Sequence, residues 1–241
     1  MASSYIEEFE ESVRDYWRVR ADQRRLQEER GVVDIGSRSE ATGGKQMESL
    51  TKLVAQVFLD EGLPKESVGF QKAALNVPGY YRRAKEWDLV VHKGILVAAV
   101  ELKSIASAYG NNLNNRVEEA LGNAEDIRTA YRKELLGSTH PWLGYLFMIA
   151  DEEESRRPPK REVRPVLPTD PLFKGASYQQ RAEIFCRRLV REQLYDDVCF
   201  VVSTKSTEAT VLQPAEDMTF NRFVASIKGR ARYILALVEE A

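Results

Sequence analysis

The stretch KEWDLVVHKGILVAAVELKS, Lys85–Ser104, predicts two apolar β-strands joined by a tight turn. Three charged residues, Asp88, Glu101 and Lys103, interrupt these otherwise apolar strands. Ionised groups are costly to bury unless they are paired or hold a metal. The hairpin is therefore both the centre of the predicted sheet and the place where chemistry is expected.

The register of the hairpin decides whether the charged side chains meet. A two-residue turn at Lys93-Gly94 would place Asp88 opposite Ala99. Because side chains alternate between the faces of a strand, Ala99, Glu101 and Lys103 share one face, and Asp88 joins them there. Asp88 and Glu101 would then be diagonal neighbours, about 7–8 Å apart at the backbone. A change in loop length would change this register.

Two carboxylates beside a lysine predict a magnesium site. Mg²⁺ takes oxygen ligands, usually one or two carboxylates with waters and substrate phosphate. It polarises a phosphoryl oxygen and lowers the pKa of a bound water, which a lysine can orient. Asp88, Glu101 and Lys103 thus indicate metal-assisted hydrolysis of a phosphodiester. The alternative interpretation is structural, with Lys103 simply pairing with an acid at a strand end.

The composition bounds the class of protein. The chain of 241 residues is 43% apolar and 30% charged, which is typical of a globular protein that buries a real core. It has neither an apolar signal segment nor an apolar run long enough to cross a membrane, so a cytoplasmic location is expected. Two histidines and two cysteines exclude a His-rich metal centre and a paired-cysteine zinc site.

Hydrophobic periodicity predicts an α/β fold with a central mixed sheet flanked by helices. Residues 1–241 are expected to form a single domain in which residues 1–30 are an N-terminal helical extension. The apolar strand WLGYLFMIA, Trp142–Ala150, indicates burial on both faces, as in a parallel sheet. Asn115, with Glu118 three residues later, predicts the start of a helix, which leaves the preceding Asn-rich segment in a loop.

The same residues carry a resemblance to a known family. Asp88 with Glu101-Leu102-Lys103 on the next strand fits the PD-(D/E)xK nuclease pattern, although Trp87 replaces the proline. The longer strings VAAVELKS and GNNLNNRVEEALGNAED resemble the XhoI family of type II restriction endonucleases. GGKQMESL, VPGYYRRAKEWD and FKGASYQQRAEIFCRRLV extend this resemblance to roughly residues 42–203.

The resemblance implies a restriction-endonuclease-like core and a prokaryotic, Mg²⁺-dependent homodimer. Such an enzyme cuts double-stranded DNA at a short specific site, leaves 5′-phosphates and is paired with a DNA methyltransferase. Asp88, Glu101 and Leu102 would hold the metal, and Lys103 would position the attacking water. Glu48, at the start of a predicted helix, is a further catalytic candidate. Its alternative interpretation is a first-turn acid favoured by the helix dipole.

Candidate DNA-binding residues lie in three segments. Asn can pair with adenine and Arg with guanine in the major groove, whereas Asn also favours left-handed turns for purely structural reasons. The basic loop from residue 156 to residue 164 could wrap DNA or could be a solvated surface loop. The candidates are Arg82, Arg83, Lys85, Asn111, Asn112, Asn114, Asn115, Arg116, Arg156 and Arg157.

Two other functions stay open at this point. One is a nuclease on the same fold that cuts by DNA structure, as a repair or junction-cleaving enzyme does. The other is a DNA-binding module that kept the fold and lost catalysis, against which the intact set of Asp88, Glu101 and Lys103 argues. A discrete fragment pattern separates the first from a restriction enzyme, and binding without cleavage in Mg²⁺ would identify the second.

Overall fold

The computed structural model describes residues 3–29, 43–69, 72–160 and 165–239. The α-helices within these ranges are α1 Ser3–Glu29, α2 Gly43–Gln46, α3 Glu48–Asp60, α4 Tyr109–Arg132, α5 Tyr178–Arg191 and α6 Phe220–Glu239. The strands are β1 Val68–Gly69, β2 Asn76–Pro78, β3 Ala84–Glu86, β4 Leu89–His92, β5 Leu96–Ile105, β6 Trp142–Ala150, β7 Asp197–Ser203 and β8 Val211–Leu212.

A six-stranded mixed sheet organises the molecule, in the order β1-β4-β5-β6-β7-β8. The strands β5, β6 and β7 run parallel, and the remaining pairs are antiparallel. Every residue of β6 is buried, because helices cover both faces of the sheet. The predicted α/β class with a central mixed sheet is therefore confirmed. None of the helices within the described ranges is long and apolar enough to cross a membrane.

The predicted register of the β4–β5 hairpin is wrong by two residues. Ala99 pairs with Val90, whereas the two-residue turn would have placed it opposite Asp88. The strands are joined by the longer turn 93–95, in which Gly94 adopts a φ of +71°, and a bulge follows Val91. A shift of two residues preserves the face on which each side chain lies. Asp88 therefore still faces the side of Glu101, now directly across rather than diagonally.

The predicted start of α4 is also wrong. The Asn-rich segment GNNLNN is helical, because α4 begins at Tyr109 rather than after Asn115. Ala108, immediately before the helix, has a left-handed φ of 48°. The Asn112 side chain donates a hydrogen bond to the Ser107 carbonyl at 2.7 Å and closes the first turn.

Tertiary contacts of Tyr109 explain why this helix starts early. Its ring is buried and stacks on Tyr178 with 5.8 Å between ring centroids. Its hydroxyl donates a hydrogen bond to Glu152 Oε2 at 2.6 Å. These contacts fix the first turn, and they outweigh the preference of asparagine for loops.

The first helix packs into the core of the protein. Phe9, Val13, Tyr16 and Trp17 are buried. The Phe9 ring stacks on Phe220 of α6, with 4.1 Å between the ring centroids. Side chains at both ends of the described chain thus share one hydrophobic core.

Replacing Phe9 by alanine should lower the free energy of unfolding by about 3–5 kcal/mol, because the change leaves a cavity against Phe220. Urea denaturation of the two proteins measures this difference. Leu26→Ala on the same helix is the matched control, since that side chain is 45% exposed and should change stability little. Equal stability of Phe9→Ala and wild type would show that α1 does not contribute to the core.

Candidate active site

A cleft of about 540 Å³ opens beside β5, with walls from α1, α2, β3 and α4. Its lining is strongly charged. Five cationic side chains face three carboxylates, the former being Arg20, Arg82, Lys85, Lys103 and Arg116 and the latter Asp88, Glu101 and Glu119. This excess of positive charge favours an anionic ligand.

The structure brings Asp88, Glu101 and Lys103 together in this cleft. Glu101 is 3% exposed and lies between two lysines. Its Oε2 accepts a hydrogen bond from Lys85 Nζ at 2.6 Å, and its Oε1 pairs with Lys103. Lys103 Nζ lies 3.8 Å from Asp88 Oδ2, which also accepts a hydrogen bond from the Leu102 backbone N–H at 2.8 Å.

The pKa values of Asp88 and Glu101 are shifted in opposite directions. Burial by itself would raise the pKa of Glu101, but Lys103 and Lys85 more than offset it and hold that pKa below its usual value. Burial, together with the nearby Glu101 charge, raises the pKa of Asp88 despite the attraction of Lys103. Burial would lower the pKa of Lys103, yet Glu101 and Asp88 raise it. Of the two carboxylates, Asp88 is the one left short of positive charge.

The donor set fits a partially protein-bound Mg²⁺. Among the described residues, no group of three or more His, Cys, Asp and Glu side chains could enclose a metal ion. Mg²⁺ does not require one, since it is usually held by one or two carboxylates while waters and phosphates complete its shell. Asp88 and Glu101 would supply that pair. Leu102, whose apolar side chain is buried, can add only its backbone carbonyl.

Arg82 is held at the cleft by residues that the sequence did not single out. Asp126 on α4 accepts hydrogen bonds from the backbone N–H groups of Tyr80 at 2.7 Å and Tyr81 at 2.9 Å. Its other oxygen accepts from Arg82 Nε at 2.6 Å, and Asn123 Oδ1 accepts from Arg82 Nη2 at 2.7 Å. The signal for this contact was the presence of two polar residues on the otherwise apolar face of a helix.

An Asp126→Asn variant should be less stable than wild type at neutral pH by about 1–3 kcal/mol. Burial opposes ionisation of Asp126, but the Tyr81 N–H and Arg82 outweigh it and lower the pKa of its carboxyl. A lowered folded-state pKa stabilises above the unfolded-state pKa, and the effect is lost as the pH falls through the folded-state value. The stability difference should therefore shrink in acid.

Urea unfolding across a pH series measures this difference. Glu125→Gln is the matched control, because that neighbouring carboxyl is exposed and its loss should cost little. A stability difference that stays constant down to acid pH would contradict the role given to the Asp126 charge.

The polar residues in the first turns of α4 face two different sides, the cleft and the exposed surface of the helix. Asn112 and Arg116 line the cleft one helical turn apart. Arg116 Nη1 pairs with Glu119, and its buried Nε has no hydrogen-bond partner among the described residues. Three other candidates, Asn111, Asn114 and Asn115, are exposed on the helix surface and do not line the cleft.

Glu48 is not brought into the cleft. Its side chain is 58% exposed and pairs with Lys52 Nζ at 2.6 Å, one helical turn later. The residues that line the cleft from this part of the chain are Gln46 and Met47, both almost fully buried. Glu48 in this structure therefore has the geometry of an exposed first-turn acid.

The remaining basic candidates also lie outside the cleft lining. Arg83 is exposed. Arg156 makes two hydrogen bonds to Asp151, at 2.7 Å and 2.6 Å, and Arg157 pairs with Glu153. Residues 161–164 of the basic loop lie outside the described residues. Arg82 and Lys85 are thus the candidates from the segment before β4 that reach the cleft.

The mixed sheet, with Asp88, Glu101 and Lys103 on its central hairpin, has the architecture of a restriction-endonuclease-like fold. The family profile described as restriction endonuclease XhoI matches residues 26–212. The chain belongs to the XhoI restriction endonuclease family.

Relatives agree with this assignment. The chain is 38% identical over 218 residues to the type II restriction enzyme BstVI of Geobacillus stearothermophilus, covering 86% of this chain and 96% of that protein. It is 41% identical over 182 residues to the type II restriction enzyme XhoI of Xanthomonas vasicola, covering 74% and 72% of the two chains. No solved structure matches the chain significantly.

Proposed function

We propose that this protein hydrolyses phosphodiester bonds in double-stranded DNA at a short specific sequence, as a Mg²⁺-dependent type II restriction endonuclease. One observation carries the proposal. Asp88, Glu101 and Lys103 converge in a single cleft whose lining has more cations than carboxylates. Membership of the XhoI family supports it, because the relatives are named type II restriction enzymes.

The side chains of the cleft have distinct roles in this proposal. Asp88, Glu101 and the Leu102 carbonyl would hold Mg²⁺, which when bound supplies Lewis-acid stabilisation of the phosphoryl oxygens. Lys103 orients the attacking water and stabilises the negative charge that develops on the phosphate. The negative charge of Glu101 keeps Lys103 protonated for this task. Lys85 donates a hydrogen bond to Glu101 and lines the cleft in which the DNA phosphate would lie.

Contacts to DNA divide into two kinds. Arg82, Arg83 and Lys85 would hold the sugar-phosphate backbone, which positions DNA without reading its sequence. Base reading is assigned to the start of α4, where Asn111, Asn112, Asn114, Asn115 and Arg116 offer the amide and guanidinium groups that recognise adenine and guanine. Arg156 and Arg157 would have to exchange their present carboxylate partners for phosphates.

The wider setting follows from the same proposal. A palindromic site would be cut by a homodimer, because two-fold protein symmetry matches the symmetry of the DNA. The products would carry 5′-phosphates. A partner methyltransferase would protect the DNA of the prokaryotic cell in whose cytoplasm the enzyme acts.

The test is a digest of unmethylated, phage-sized duplex DNA with Mg²⁺, with a chelator, and with Glu101→Ala in parallel. We expect discrete fragments that disappear with the chelator and with the variant. Glu125→Gln, outside the cleft, should cut like wild type. Cleavage by Glu101→Ala would overturn the assignment of the site.

Other outcomes of this digest identify other functions. Binding without cleavage in Mg²⁺ would identify a DNA-binding module. Cleavage confined to branched or damaged DNA would identify a structure-specific nuclease. Mapping the fragment ends gives the site and the position of the phosphate, and sedimentation of the protein gives its oligomeric state.

A further inference from the structure

Helix α1 contributes a side chain to the active-site cleft. Arg20 lines the same cleft as Asp88, Glu101 and Lys103. The helix is tied to β5, because Tyr16 OH lies 2.8 Å from Oγ of Ser104, the residue after Lys103. Almost all of α1 lies before residue 26, where the match to the family profile begins. The site thus includes a cation from outside the matched region.

Neutral groups anchor the guanidinium of Arg20. Its Nη1 donates hydrogen bonds to Tyr16 OH at 3.1 Å and to Gln46 Oε1 at 3.4 Å. Gln46 is fixed in turn, since its Nε2 donates to Gln23 Oε1 at 2.6 Å. Within the described ranges, no carboxylate pairs with Arg20, and its Nε and Nη2 donors have no partner. The positive charge is therefore held in place without being neutralised.

Three other arginines of α1 behave differently. Arg14 and Arg18 pair with Glu11, and Arg25 pairs with Asp22 on the helix surface. Such exposed pairs within one helix are ordinary surface electrostatics. Arg20 differs from them in two respects, because it is oriented by buried neutral partners and because it faces a cleft rather than solvent.

We propose that Arg20 is a phosphate-binding residue of the active site, which holds a backbone phosphate of the DNA strand in the cleft. A guanidinium presents adjacent N–H groups in a fixed fork that matches phosphate oxygens bidentately. The Nε and Nη2 groups of Arg20 form such a fork. Arg82 and Arg116 supply cations from two other parts of the chain, so Arg20 adds a contact from a third. This inference rests on the proposed function.

The test compares wild type with Arg20→Gln, Arg20→Lys and the control Arg18→Ala. Arg18→Ala also removes one positive charge from α1, but one that Glu11 and Asp15 already neutralise. Affinity for duplex DNA is measured without metal over a series of salt concentrations, and single-turnover cleavage is measured in Mg²⁺. Thermal unfolding of each variant reports whether α1 remains docked.

We expect Arg20→Gln to bind DNA about ten-fold or more weakly and to cut it more slowly. The salt slope, which is the steepness with which log affinity falls with log salt concentration, should be lower by about one unit. Arg20→Lys should keep the salt slope, because it keeps the charge, yet bind more weakly because it loses the fork. Arg18→Ala should match wild type. A purely structural role would lower thermal stability and leave the salt slope of the folded protein unchanged.

Two results overturn the inference in distinguishable ways. If wild type binds and cuts DNA and Arg20→Gln does so with the same affinity, salt slope and rate, Arg20 has no phosphate role and the proposed function stands. If wild type neither binds nor cuts, the proposed function fails and takes this inference with it. Should Arg20→Gln not fold, Arg20→Lys decides, since unchanged affinity and cleavage in that variant would also refute the bidentate contact.

Discussion

An Asp88→Asn variant should cut DNA about 10³-fold more slowly than wild type and yet be at least as stable. Loss of a group that stabilises charge in a transition state typically costs two to three orders of magnitude in rate. In the proposed function Asp88 is such a group, because it would hold Mg²⁺. Asparagine has nearly the same shape and can still accept the hydrogen bond from the Leu102 N–H.

The stability part of this prediction follows from the sign of the pKa shift. Burial and the Glu101 charge raise the pKa of Asp88 in the folded protein. When the pKa of a carboxyl is higher in the folded than in the unfolded protein, the free energy of unfolding falls as the pH rises from the unfolded-state pKa through the folded-state pKa. Ionised Asp88 therefore costs stability at neutral pH when no cation is bound, and asparagine removes that cost.

Single-turnover cleavage and urea unfolding in chelator measure the two halves of the prediction. The stability gain should disappear when Mg²⁺ is added, because only wild type can then bind the ion with both carboxylates. A variant that cut normally would remove Asp88 from the active site. A variant that was clearly less stable in chelator would show that Asp88 stabilises the fold by a contact other than those described.

Glu101→Gln should lose both activity and stability. Glu101 is the counter-ion of two lysines, Lys85 at 2.6 Å and Lys103. Removing one member of a buried ion pair leaves the other charge uncompensated and typically costs about 3–5 kcal/mol. We expect a loss of unfolding free energy in that range, together with a loss of cleavage of about 10³-fold.

The contrast between the two carboxylate variants makes this test sharp. Both remove one negative charge from the same hairpin, yet only Glu101→Gln should destabilise the protein in chelator. Glu119→Gln serves as the stability control, because Glu119 lines the same cleft but is 42% exposed, far more than Glu101. Equal stability of Glu101→Gln and wild type would mean that water solvates Lys85 and Lys103 well enough without a partner.

The sequence predicted the centre of the fold and of the candidate site. Strand alternation placed Asp88, Glu101 and Lys103 on one face, and this result survived a wrong register because the error was two residues. The bulge after Val91 could not be foreseen, since local sequence does not determine where a hairpin ladder is interrupted. The uninterrupted apolar run Trp142–Ala150, predicted as a strand buried on both faces, agrees with the structure.

The parts that the sequence did not predict depend on distant contacts. The early start of α4 is stabilised by Tyr109, whose partners lie more than forty positions away. Arg20 reaches the cleft through packing of α1, and Asp126 meets Arg82 across 44 positions of sequence. Periodicity and short motifs describe neighbours within one element, so they can mark a residue such as Asp126 as unusual but do not identify its distant partner.

The stacking of Phe9 on Phe220 has a consequence for how the protein is made. A ribosome synthesises Phe9 more than two hundred residues before its partner emerges. On a nascent chain that lacks α6, helix α1 therefore misses one of the surfaces against which it packs. We expect α1, with Arg20 on it, to be held less firmly on such a chain until α6 has left the exit tunnel.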